Sequence, residues 1–232
     1  MPDKDPITYS DNIQGYLNNL FAPERAGRSC QIQSLEELLE WQLDARHELC
    51  QITGLQRMRE ELADHEPTIQ RSEPEDLGDY TRTRCSIETE PGFDLPFWLL
   101  QPKTEGPHPL AICPHGHDKV GMDTTVGLAH DDGHAETIQN EDRDVAVQVV
   151  QRGYIAVAPA ARGTSNDVGI PDIKGRHGKR GCRSQLMHAL LAGRTATAER
   201  VWDVMRLIDW SLDTFEVIES KILVMGNSGG GV

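Results

Sequence analysis

The residues Gly226-Asn227-Ser228-Gly229-Gly230 have the form G-x-S-x-G. A serine hydroxyl can attack a carbonyl when a sharp strand-to-helix turn holds it clear of a sheet edge. Glycines two positions to either side remove the side chains that would clash in such a turn. The N–H of the next residue, Gly229, then faces the charge that develops on the attacked oxygen. This chemistry is acyl transfer through a covalent intermediate. A glycine-rich turn without chemistry is the other reading of the same residues. A nucleotide loop fits poorly, since neither G-x-x-x-x-G-K-[ST] nor G-x-G-x-x-G is present.

A second group, Cys113-Pro-His-Gly-His-Asp-Lys119, directly follows a short apolar run. A His-Gly pair at the end of a strand suits the other half of an oxyanion hole, with Gly116 letting the backbone N–H groups turn toward a ligand. Cys113, His115, His117 and Asp118 could instead form a metal site. Pro114 and Gly116 break the strand that would align the two rings, and no second ligand cluster stands out, so no metal and no cofactor are expected. A third loop, Pro159 to Asp167, follows another apolar run, where open α/β sheets carry ligand loops. Beyond it Lys174, Arg176, Lys179, Arg180 and Arg183 gather positive charge that would attract an acidic partner, or form a solvated loop. Asp203, beside Trp202, is either buried and paired or simply solvated.

These residues need elements to position them. Residues 1–75 read as a helical extension, with Ser34-x-x-Glu37 as a capping box before Leu35, Leu38, Leu39 and Leu43, and with Gly54 as the stop. An acidic, proline-containing connector follows. The alternation in YTRTRCSIETE, then Pro91-Gly92, then FDLPFWLLQP, predicts an antiparallel hairpin. Buried strands are expected at Pro109–Cys113, Tyr154–Ala158 and Lys221–Met225. Between them, Asn140, Glu141, Asp142 and Asp144 open a helix that Gly153 closes. A second helix from about Ala196 carries Ala198, Val201, Met205, Ile208 and Leu212 as its apolar stripe, with Glu199, Arg200, Asp203 and Arg206 opposite. The expectation is an α/β fold with a mostly parallel sheet and flanking helices over residues 76–232.

Composition narrows the partners. Against 23 Lys and Arg stand 37 Asp and Glu, a formal net charge of −14. Such a field repels nucleic acid and anionic membranes, so neither is an expected partner. No apolar run approaches a membrane span, and the start MPDKDPITYSDNIQG lacks the pattern of a signal peptide. Five cysteines without a C-x-x-C pair fit reduced thiols and a cytoplasmic location.

Together, PHGH, RGYIAVAPAARG and ERVWDVMRLIDWSLDTFEVIESKILVMGNSGGG resemble the α/β-hydrolase superfamily. The closer likeness is to its acetyl xylan esterase-like and dienelactone hydrolase-like branch. It spans roughly residues 80–232, and the leader around LLEWQLDARHELCQITGL is similar to an N-terminal extension in that branch. The resemblance implies Ser228 as nucleophile, with Gly229 and the backbone at Gly116 and His117 as oxyanion hole. It implies a small-molecule or carbohydrate ester as substrate. Many members carry Asp where this chain has Ala160. The family's acid and base follow the serine in sequence, whereas His115, His117, His130, His134, His177 and His188 all precede Ser228. The expectation is a chain cut just after the elbow, essentially inactive alone, with an exposed sheet edge open to self-association. The alternative is a non-catalytic binding module that keeps the first half of the fold.

Overall fold

The structure is a computed structural model that describes residues 11–169 and 181–231. The chain divides into two compact units, Met1–Cys50 and Gln51–Val232. The first unit holds helix α1 (Asp11–Arg28) and most of α2 (Leu35–Thr53). Ser34 Oγ accepts the Glu37 N–H at 3.1 Å, as a helix cap should. Glu37 closes the box on the Gln33 N–H at 2.7 Å, one residue outside the cap. The helix stops before Gly54, whose φ is +81°. Leu35, Leu39 and Leu43 of the expected apolar face are exposed.

The second unit begins with α3 (Leu55–Glu61) and two short strands, β1 (Ile69–Arg71) and β2 (Glu75–Asp76). Both strands fall in the stretch read as helical extension and connector, because two or three residues are too few to show a period. Both pair antiparallel with β3 (Tyr80–Glu90). β3 and β4 (Phe93–Pro102) form the expected hairpin. Along β3, Thr83, Cys85 and Ile87 are buried while Arg82, Arg84 and Ser86 are half-buried, the alternation the sequence contains.

Next come β5 (His108–Ile112), α4 (Gly121–Thr125), α5 (Asp132–Asn140), α6 (Val145–Val150) and β6 (Ile155–Pro159). After them follow α7 (Gly181–Leu191), α8 (Ala196–Thr214), β7 (Val217–Val224) and a single 3-10 turn at Ser228–Gly230. Asn140 ends α5 and does not open α6, which starts after Asp144. The polar run there serves two helix boundaries, so one-sided reading merges them. Lys174, Arg176, Lys179 and Arg180 of the basic loop lie outside the described residues.

The sheet order is β1-β3-β4-β6-β5-β7, with β2 beside β3. β5 runs parallel to β6 and to β7, while β4 meets β6 antiparallel. One side of the sheet buries Ile87, Leu95, Phe97, Leu110, Ile112 and Val157 with Leu207 of α8. The other buries Leu100, Ala111, Ala156 and Ala158 with Ala146, Val149 and Val150 of α6. Two covered faces explain the unbroken apolar runs of β5 and β6. β7 departs from the expectation of a buried strand. It pairs only with β5 and leaves Leu223, Val224 and Met225 exposed, because no strand lies on its outer side among the described residues.

α8 corrects a second expectation. Thr195 caps it through the Ala198 N–H, but its buried residues include Glu199 and Asp203 together with Trp202 and Leu207. Of the apolar stripe of the sequence, Ala198 is buried, while Val201, Met205, Ile208 and Leu212 are half-buried. Charged residues occupy the inner face because arginines from elsewhere meet them there, a pairing that helix periodicity cannot reveal.

Candidate active site

β5, β6 and β7 run parallel, so their carboxyl ends lie together, and each releases a loop at that end. From β7 comes the elbow. Met225 N–H donates to Ile112 O at 3.0 Å, carrying the β5 pairing one residue past the strand. Asn227 is still extended, at φ −98° and ψ 140°. Ser228 then turns to φ 51°, a left-handed conformation that a non-glycine residue adopts at a cost of about 1–3 kcal/mol. Gly230 N–H closes on Asn227 O at 2.8 Å, and Gly231 N–H on Ser228 O at 3.0 Å. A Cβ on Gly226 would collide with Gly230 O and come within 2.9 Å of Pro114 O. The glycines are demanded by this close approach, as the motif requires.

The loop after β5 lies directly against that turn. A Cβ on Gly116 would sit 2.8 Å from Asn227 O and 3.1 Å from Ser228 Cβ. The His117 ring packs on Gly229, with Cε1 and Nδ1 each 3.1 Å from where a Gly229 Cβ would stand. The fold therefore gathers Gly116, His117, Gly226, Ser228, Gly229 and Gly230 at one place. A cavity of about 550 Å³ opens beside them, with His117, Asp118, Glu141, Arg143 and Ser228 among its walls. A second cavity of about 450 Å³ lies under the turn toward α8, where Val201, Val204 and Met205 meet Gly229–Gly231.

The loop after β6 braces both others. Asp118 N–H donates to Thr164 O at 3.1 Å, and Ala161 N–H donates to His115 Nε2 at 3.0 Å. Arg162 anchors this loop from within. Its Nε and Nη2 fork onto the two oxygens of Asp203 at 2.7 and 2.6 Å, Nη1 pairs with Glu90, and Nη2 reaches Thr89 Oγ1 at 3.1 Å. The guanidinium also lies 3.8 Å from the Phe93 ring centre. Burial opposes its charge, but Asp203 and Glu90 outweigh burial and hold its pKa above the ordinary value. Glu90 is likewise penalised by burial, yet Arg162 and Arg194 keep its carboxyl below the usual range. Sequence reading placed Asp203 correctly only as one of two options and missed Arg162. The "AARG" turn was in view, but its partners Glu90 and Asp203 lie far away along the chain.

The metal alternative finds its residues otherwise engaged. Cys113 is fully buried, its thiol pushed up to about 12 by burial. His115 meets backbone groups with both ring nitrogens. Asp118 accepts from Val120 N–H and Thr124 Oγ1, and these bonds outweigh burial and lower its pKa. Among the described residues, no three His, Cys, Asp or Glu side chains are arranged to hold a metal ion. Thr124 Oγ1 also meets His134 Nε2 at 2.9 Å, and His130 meets Asp123 at 2.9 Å, a side-chain cluster that sequence reading did not single out. Among the described residues, no helix is long and apolar enough to cross a membrane.

No family model and no curated protein matches the sequence. Solved structures do. A candidate acetyl xylan esterase from Bacteroides fragilis NCTC 9343 superposes at TM-score 0.74 and 16% identity over 98% of this chain and 56% of its own. A methylesterase gives TM-score 0.62 at 19% identity, over 95% of this chain and 40% of its own. Acetyl xylan esterase 1 from Thermoanaerobacterium sp. JW/SL YS485 gives 0.52 at 22%, over 76% and 50%. The chain thus spans about half the length of the solved structures it matches. With β5, β6 and β7 parallel, helices on both faces and a strained serine after β7, the chain has the α/β-hydrolase-type fold seen in acetyl xylan esterase-like structures.

Proposed function

We propose that this chain carries the nucleophile and oxyanion hole of a serine ester hydrolase. The observation that supports this most is Ser228 at φ 51° with Gly116 and the His117 ring packed against its turn. Ser228 Oγ adds to the ester carbonyl, and the Gly229 and His117 N–H groups receive the negative charge on the carbonyl oxygen. The tetrahedral adduct collapses with loss of the alcohol, leaving an acyl group on Ser228 that water later removes. The names of the similar structures favour an acetyl or methyl ester on a carbohydrate. The polar walls of the larger cavity, Asp118, Glu141 and Arg143, suit a substrate rich in hydroxyl groups.

A base must take the Ser228 proton for rapid turnover. Among the described residues no side chain is hydrogen-bonded to that hydroxyl. The 232-residue chain is therefore expected to acylate slowly and to turn over far below the rate of a complete triad. An oxyanion hole and binding alone still accelerate such reactions by about 10³–10⁴ over water. Intact-mass and peptide mapping after p-nitrophenyl acetate should find acetyl on Ser228, absent in Ser228→Ala. An unmodified Ser228, or acetylation that survives at other residues only, would overturn the reading. Sustained turnover that depends on Ser228 would overturn the expectation of slowness alone.

A further inference from the structure

His115 is 6% exposed, and its two ring nitrogens meet two different loops. Ala161 N–H, which can only donate, points at Nε2 from 3.0 Å. Nε2 therefore offers a lone pair, and in a neutral ring the proton sits on Nδ1. Nδ1 stands 2.6 Å from the carbonyl oxygen of Gly116. That carbonyl belongs to the peptide joining Gly116 to His117. In a trans peptide C=O and N–H point opposite ways, and no cis peptide occurs among the described residues. Fixing the oxygen therefore fixes the direction of the His117 N–H.

We propose that His115 is a positioning residue. By donating from Nδ1 to Gly116 O it holds the His117 N–H toward the oxyanion that forms at Ser228. The inference rests on the nucleophile reading of Ser228 and adds a residue to it that touches no substrate. The packing is built for the ring. A Cβ on Gly121 would strike His115 Nδ1 and Cγ, so the start of α4 leaves room for the imidazole only as glycine. On the far side, the Arg162 network holds the loop that supplies Ala161. Burial keeps the His115 pKa below its ordinary value. The Gly116 bond, Asp118 and Asp167 act the other way, and Arg200 reinforces the lowering. The ring thus stays neutral near pH 7, in the single tautomer that both bonds require.

Two substitutions separate the bonds. In His115→Asn the amide nitrogen can stand near the Nδ1 position and still donate to Gly116 O. In His115→Gln the amide oxygen can reach the Nε2 position and accept from Ala161, but no donor faces Gly116. Acylation of Ser228 by p-nitrophenyl acetate should stay within about threefold of the parent in Asn and fall about tenfold or more in Gln, as expected for a misaimed oxyanion donor. The His117 amide ¹H–¹⁵N shift should move in Gln and remain in Asn. Two-bond ¹H–¹⁵N correlation on the parent should find His115 as the Nδ1–H tautomer. An Nε2–H tautomer, or equal behaviour of Asn and Gln, would overturn the proposal. If parent Ser228 does not acylate, the nucleophile reading fails, and the tautomer and the His117 shift still decide whether His115 pins the peptide. Should a variant misfold, the parent tautomer decides alone.

Discussion

Ser228 stands in a backbone conformation that favours glycine, at φ 51°. The strain is localised, because Asn227 before it is extended and the bonds of Gly230 and Gly231 close the turn around it. Ser228→Gly should therefore stabilise the chain by about 1 kcal/mol while removing the acylation site. Ser228→Ala should remove the site without that gain, since alanine keeps the Cβ that makes the conformation costly. Urea unfolding of the three proteins would check the order, with equal midpoints for Gly and Ala counting against strain at this residue. The Arg162 cluster works by opposite means. It places a cation and two carboxylates in the interior and satisfies them against one another, so removing Arg162 would strand Asp203 in the core.

At the scale of elements, the three loops at the carboxyl end of the parallel strands depend on neutral or paired groups, which gives stability a pH dependence. His115 has a folded pKa below its ordinary value of 6.5. The unfolded chain therefore binds the extra proton first, and the stability that His115 contributes is present above about pH 6.5 and lost as pH falls. Glu90, also depressed, adds a second loss below its ordinary 4.5. Melting temperature should be flat between about pH 7 and 8 and decline on acidification, with the first part of the decline missing in His115→Asn. A decline that survives unchanged in that variant would assign the effect elsewhere. Much of the element pattern was legible in advance. β5 and β6 are unbroken apolar runs, the β3–β4 hairpin alternates, and the helix expected from about Ala196 is α8. The elbow was legible because its glycines are a local requirement. What escaped was non-local. Glu199 looked like part of a solvated face and Asp203 could be read either way, and only Arg194 and Arg162, from other segments, make their burial tolerable. His115 looked like a metal ligand or a misplaced base, because the bonds that occupy its ring go to backbone atoms that have no signature in sequence.

For the whole molecule, the strand that leads into Ser228 is also the outermost one described. β7 exposes Leu223, Val224 and Met225 along an unpaired side. Such an edge invites another strand, and like charge across the chain, −14 in total, is the main force opposing it. Concentration-dependent association is expected in size-exclusion chromatography, strengthened by salt that screens the charge and weakened by Val224→Lys. A monomer at all concentrations and salt levels would refute it. The close approach of Gly116 to Asn227 and Ser228 has a further consequence, for folding kinetics. These residues belong to segments at opposite ends of the α/β sequence, and their contact requires β5 to be paired with β7. Loop-closure entropy makes such a contact late to form. A reactive Ser228 would then report that β5 and β7 have paired, whereas a collapsed intermediate with intact helices would leave the serine inert.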